Sequence, residues 1–189
     1  MLIDDFLPVY HFREVHDIAI DASTANVFRA IKEVDFADSF IVRWLMRLRG
    51  MTGTDVRLSS FEKFSFAKLG EVPERELVLG LVGRFWTLFG GLRKIDGESF
   101  QVFNEAGYAK AAWNFSLSEA GSGTVLGTET RIQCTDHDSR RSFGFYWTFI
   151  QPFSGLIRME MLKMIKCRAE SLMPGYNVRE MKRVNVGMI

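Results

Sequence analysis

The chain holds three histidines, His11, His16 and His137, and the last stands in the run Thr135-Asp136-His137-Asp138. Asp-His-Asp is a donor set that suits a metal ion. Neighbouring residues at a strand-to-helix turn point in different directions, however, and Asp is a preferred N-cap. The run therefore reads as a helix start, and no metal site is expected. His16 falls in or beside an early strand and reads as a structural residue. No Ser, Cys or Thr nucleophile neighbours a His–acid pair in sequence, so no hydrolytic triad is legible, though a pairing in space stays open. Gly80, Gly83, Gly90 and Gly91 lack the G-x-G-x-x-G spacing and do not open a helix, which excludes a dinucleotide fingerprint. No cofactor and no catalytic residue are assigned.

The remaining chemistry is that of recognition. Arg84 stands in a Gly-rich loop beside Phe85 and Trp86. The loop reads either as a lid at a cavity mouth or as a plug at the end of a sheet. A guanidinium there suits a carboxylate or phosphate, or an ordinary surface ion pair. Trp113 and Phe115 alternate along a strand, and Phe143, Tyr146, Trp147 and Ile150 recur at helical spacing. These six are expected to face each other, as a cavity lining or as filled core. Thr128, Thr130 and the Tyr146 hydroxyl are the polar groups expected among them, and a buried hydroxyl needs a partner. Pockets of this composition suit small apolar ligands.

The elements that must position these residues come next. Asp138 to Leu172 carries an apolar stripe at helical spacing. A helix of that length is about 50 Å long at 1.5 Å per residue, and a sheet must wrap it to bury the stripe. Pro152 and Gly155 predict a kink or break near 148–155, either a gate for ligand access or a bend following the sheet. Upstream, His16–Ile20 reads as a first strand after a loosely patterned arm, residues 1–12. A helix follows, capped near Ser23 and running to about Val34, then a second over 36–50 ended by Gly50. Residues 51–63 fit a short helix or a winding loop.

From Phe64 the period changes to two. Strands are expected over 64–72, 75–82, 100–104, 108–118 and 124–135, with a hairpin loop at 119–123. On the fourth of these, Lys110 and Asn114 are expected to face water, as are Glu129 and Arg131 on the last. Pro174-Gly175 ends the terminal helix, and 176–189 form a tail. Strands in series closed by a helix argue for an α+β class. One domain over 1–175 is expected: a curved antiparallel β-sheet gripping a long C-terminal α-helix, with two short helices after the first strand.

Composition sets the outer limits. The chain has 189 residues, 47% hydrophobic and 25% charged, with 17 Phe, which calls for a large core or an apolar cavity. A net charge of +1 and scattered basic residues point away from nucleic acid. Cys134 and Cys167 read as reduced, buried thiols. The acidic N-terminus is unlike a signal peptide, and no apolar run is long enough for an integral membrane segment. A cytoplasmic protein is expected.

Three segments, ELVLGLVGRFW (76–86), GYAKAAWNFSL (107–117) and SGLIRMEMLKMIKCRAE (154–170), together with the element order over residues 13–172, resemble uncharacterised bacterial members of the START-like, or Bet v 1-like (SRPBCC), superfamily. The resemblance implies a helix-grip fold with an apolar cavity between sheet and C-terminal helix. Members include lipid and sterol carriers, hormone receptors and polyketide cyclases, so the fold leaves function open. Three readings follow. The first is a binding or transport protein for a lipid, quinone, isoprenoid or polyketide-like molecule. The second is a cyclase/aromatase-like enzyme, in which Tyr146, Thr128 or Arg84 polarises a carbonyl. The third is a protein-interaction module with a filled core, to which Phe145 and Phe149 contribute. Oligomeric state is not legible.

Overall fold

The computed structural model describes residues 1–39, 57, 65–87 and 91–173. Most of the second helix read at 36–50, the ambiguous stretch 51–63 and the tail 176–189 lie outside the described residues. Five strands form one antiparallel sheet in the order β1-β5-β4-β3-β2: β1 Phe12–Ile20, β2 Ala67–Val72, β3 Glu76–Gly83, β4 Ala109–Ala120 and β5 Gly123–Cys134. Helix α1 spans Ile3–Phe6, α2 Thr24–Glu33, α3 Gly97–Val102 and α4 His137–Ser171. Gly121, at φ +60°, turns the β4–β5 hairpin where a side chain would be strained.

Local chemistry explains the boundaries. Ser23 caps α2 by accepting the Asn26 N–H, and Val27, Phe28, Ala30 and Ile31 make its buried face. Asp136 caps α4 in a capping box, accepting from Ser139 N at 2.7 Å while Ser139 Oγ accepts from Asp136 N at 3.1 Å. The backbone N–H of Ser139 leads the contacts that hold the Asp136 carboxyl below the ordinary aspartate range. The strand read at 100–104 is not there, and residues 100–102 close a short helix instead. Asp96 accepts from Ser99 N at 2.8 Å, starting α3, and Phe100 anchors it in the core.

Helix α4 runs 35 residues without a break, so of the kink or break read near Pro152 the break is not there. Pro152 is exposed, and water can satisfy the carbonyl that its missing N–H leaves free.

The sheet is covered on both faces. On the inner face, α2 and the second half of α4 pack Ile31, Leu162 and Ile165 against Leu77, Trp113, Phe115 and Leu126. Nearer the start of α4, Phe143 packs on Ala109, Ile132 and Cys134. On the outer face, α1 and α3 lay Ile3, Leu7 and Phe100 over Leu69, Val78 and Ala112. This second core overturns the expectation of a wet side. Lys110, Asn114, Glu129 and Arg131 are all buried, because the N-terminal arm and α3 lie over them.

A polar chain stitches the arm to the sheet. The Glu76 carboxylate accepts from Leu2 N, Ile3 N and Asn114 Nδ2 at 2.6, 3.2 and 2.7 Å, and Glu129 N donates to Asn114 Oδ1 at 2.7 Å. Arg13 and Arg131 both donate to Glu129, at 2.7 and 2.6 Å. Arg131 also donates to Leu7 O at 3.1 Å and pairs with Asp4 at 2.8 Å.

Candidate functional site

Antiparallel partners stand opposite one another on the same sheet face. The register therefore lines up Leu79, Trp113, Thr130 and Glu14 in one row, and Leu77, Phe115, Thr128 and His16 in the next. Each row passes from an aliphatic side chain through an aromatic ring and a hydroxyl to an ionisable group. At about 4.8 Å per strand the gradient spans roughly 14 Å. Along these two rows the inner face is thus apolar toward β3 and polar toward β1.

Helix α4 crosses this polar edge at Ser154 and Gly155. Ser154 Oγ donates to Glu14 Oε2 at 2.8 Å, and His16 Nε2 lies 3.0 Å from Glu14 Oε1. Glu14 is only 8% exposed. A carboxylate accepts and does not donate, so the His16 Nε2 that faces Glu14 carries a hydrogen. The close crossing depends on the glycine. A Cβ at 155 would meet Glu14 Oε1 at 3.0 Å and His16 Cε1 at 3.3 Å. One turn further along α4, the Arg158 guanidinium lies over the Trp113 ring at 3.8 Å. A polar belt of Glu14, His16, Ser154 and Arg158 therefore separates the two apolar clusters of the inner face.

The residues singled out from sequence divide among these regions. Phe143, Tyr146 and Trp147 form one aromatic cluster, with ring centroids 5.7 and 5.6 Å from Phe143, and Phe12 joins it at 4.9 Å. Phe85 and Trp86 close the same cluster edge-on, at 6.2 and 6.4 Å from Phe143. Ile150 is half-buried on the next turn. Trp113 and Phe115 do not face this set. They pack on each other at 4.9 Å and on the second half of α4, beyond the polar belt.

Arg84 stands apart from both. Its guanidinium stacks on Tyr108 at 4.5 Å, and Tyr108 belongs to the outer-face core. The Thr128 hydroxyl accepts from Trp113 Nε1 at 2.6 Å and donates to Asn114 O at 2.7 Å, so its hydrogen is committed within the protein. Thr130 is buried beside Glu14 in the row.

Glu14, His16 and Ser154 were not singled out from sequence as site residues. The signal was present in β1, where Phe12, Glu14, His16, Ile18 and Ile20 alternate onto one face. Reading the strand from His16 hid Glu14.

A cleft of about 290 Å³ opens at the start of α4, lined by His11, Cys134, Thr135, Asp136, His137 and Arg140. His11 Nδ1 accepts the Cys134 N–H at 3.0 Å, and burial, aided by Arg140, holds the imidazole below its ordinary range. Burial also pushes the Cys134 thiol up to about 12, far from a reactive thiolate. Asp136 is spent as the helix cap, while His137 and Asp138 point into solvent, 89% and 102% exposed. The cleft offers no thiolate nucleophile.

No protein-family model matches the chain, and no curated protein does. Solved structures do. Protein MLL2253 from Mesorhizobium loti matches at 13% identity and TM-score 0.37, over 82% of this chain and 96% of its own. TTHA0849 from Thermus thermophilus matches at 11% and 0.38, over 86% and 100%. The di-domain ARO/CYC StfQ from the steffimycin biosynthetic pathway matches at 9% and 0.40, over 84% and 50%. At such identities and TM-scores these likenesses carry no argument about ligand or reaction. The chain's own arrangement, one antiparallel sheet with a 35-residue C-terminal helix laid across it, is the helix-grip fold that the resemblance to the START-like, Bet v 1-like superfamily implies.

Proposed function

We propose that the space between the sheet and α4 receives a hydrophobic small molecule, with its apolar body along Trp113 and Phe115 and its polar end at Glu14 and His16. Lipid, quinone, isoprenoid and polyketide-like molecules all have this character. The observation that carries the reading is the pair of cross-strand rows, which grade from Leu77 and Leu79 to His16 and Glu14.

The test is native mass spectrometry, with organic extraction, of protein purified from its own host. One apolar molecule per chain is expected. Glu14→Ala is expected to weaken its retention about tenfold, the equivalent of one hydrogen bond to a charged group. An empty extract, together with no uptake of an apolar fluorescent probe, would refute the reading.

One observation favours a second reading, that of a cyclase/aromatase-like enzyme. An imidazole held by a carboxylate, as His16 is by Glu14, is an arrangement that general-base catalysis uses. That reading expects the extracted molecule to change mass on incubation with fresh protein, and His16→Gln to abolish the change while retaining binding. Both readings are compatible with a cytoplasmic protein: Cys134 and Cys167 are free thiols, and among the described residues no helix is long and apolar enough to cross a membrane.

A further inference from the structure

The outward side of α4 carries large apolar side chains that the inner-face chemistry does not use. Phe145, Phe149, Phe153 and Leu156 are 73, 61, 49 and 50% exposed. Their spacing of four, four and three residues places them on one stripe, about 16 Å long at 1.5 Å per residue. Phe145 and Phe149 already pack edge-to-face, with centroids 5.1 Å apart. Exposed Pro152 lies on the same stripe. Contiguous apolar surface of this kind marks an interaction site.

The order of residues along the stripe says what covers it. Asp138 lies on it at the N-terminal end and Lys163 at the C-terminal end, both exposed. Turning a second copy of the helix end for end about a two-fold axis near residues 150 and 151 brings Asp138 opposite Lys163, Phe145 opposite Leu156, and Phe149 opposite Pro152. The same two-fold gives every pair twice, as an isologous interface requires. A parallel pairing would instead set Asp138 against Asp138 and Lys163 against Lys163. The helix dipoles also oppose each other only in the antiparallel arrangement. Four large side chains, each about half exposed or more, offer roughly 400 Å² per protomer from the area such residues bury. A standard interface takes about 800 Å² per partner, and the polar rim on both sides of the stripe supplies the rest.

We propose that a second copy of this chain docks on the outer stripe of α4, antiparallel, giving a two-fold dimer held by Phe145, Phe149 and Leu156 and oriented by Asp138–Lys163 pairs. The inference stands independently of any ligand between sheet and helix.

Sedimentation velocity of the full chain, over about 1 to 100 µM, a range bracketing ordinary homodimer affinities, is expected to show a monomer–dimer equilibrium. Phe149→Glu should abolish the dimer while leaving the circular dichroism and thermal unfolding of the monomer intact. Lys163→Asp alone and Asp138→Lys alone should each weaken the dimer about tenfold by setting like charges opposite one another. The double variant should restore it. A chain monomeric throughout the range overturns the proposal, whether or not it binds vesicles of phosphatidylcholine and phosphatidylglycerol; such binding would assign the stripe to a membrane surface instead. A Phe149→Glu dimer, or a double variant without rescue, overturns it equally. If removing residues 174–189 turns a monomer into a dimer, the chain's own tail is the occupant and the proposal fails.

Discussion

Glu14 is a carboxylate with 8% of its surface exposed, and it stays in place because Ser154 and His16 supply its hydrogen bonds. Gly155 lets them do so. Alanine at a helix interior position is favoured over glycine by about 1 kcal/mol. Here its Cβ would meet Glu14 Oε1 at 3.0 Å and His16 at 3.3 Å, and overpacking of that kind costs about 1–3 kcal/mol. Crowding should win, so Gly155→Ala is expected to lower stability by about 1 kcal/mol. In a Glu14→Ala background the nearest obstructing atom is gone, and the same substitution should become neutral or stabilising. Urea unfolding of the four proteins in that cycle measures the coupling, expected at about 1–2 kcal/mol. Equal effects of Gly155→Ala in both backgrounds would show that the helix does not lean on Glu14.

At the scale of elements, α4 is held by tertiary contacts strongly enough to run through Pro152. Proline inside a helix costs about 3 kcal/mol relative to alanine, through its lost N–H and its clash with the preceding turn. Since Pro152 is exposed and makes no core contact, Pro152→Ala should stabilise the chain by about 1–3 kcal/mol. The measurement is best made in the Phe149→Glu background, where dimerisation does not contribute, and an unchanged unfolding midpoint would contradict it. The long hairpin and the terminal helix were legible because their periods, two and 3.6, persist over many residues. The break at Pro152 was misread because the propensity of one proline is overridden where the helix is anchored on both sides of it, by Phe143 before and by Met161, Leu162 and Ile165 after. Helix α3 was misread as a strand because Phe100 to Asn104 is too short to show a period; Asp96, three residues before Ser99, was its real signal. Alternation assigned Lys110, Asn114, Glu129 and Arg131 correctly to one face. It says nothing of what covers a face, and α1 and α3 cover this one. The site was half legible for the same reason: Trp113 and Phe115 declare themselves by type, whereas the role of Glu14 exists only in the register that sets it beside Thr130 and beneath Ser154.

At the scale of the whole molecule, the sheet is a wall between two cores, and the outer core is closed by an N-terminal arm fastened through charge. Ile3 and Leu7 are fully buried there, and burying such side chains stabilises by about 1.5–3 kcal/mol each. That gain depends on the backbone donors of the arm finding Glu76, and on Arg131 joining Glu129 to the Leu7 carbonyl. Burial alone would raise the Glu129 carboxyl, but hydrogen bonds from Arg13 and Arg131 outweigh it and hold the group below the ordinary glutamate value of 4.5. A carboxyl whose folded-state value is depressed contributes stability that is complete above its unfolded value and is lost as the pH falls through the folded one. The fastening should therefore be intact at neutral pH and weaken only below about 4.5. Glu129→Gln removes the charge that Arg13 and Arg131 share, and breaking a buried pair from one side costs about 3 kcal/mol. The variant should be less stable than the parent by that order at pH 7 and by less at pH 3, which lies below the unfolded-state glutamate value, so that folding of the parent with a charged Glu129 must release a proton. Urea unfolding at the two pH values measures both gaps. A gap of the same size at both would mean that Glu129 acts by shape and not by charge, and that the arm is held by Ile3 and Leu7 alone.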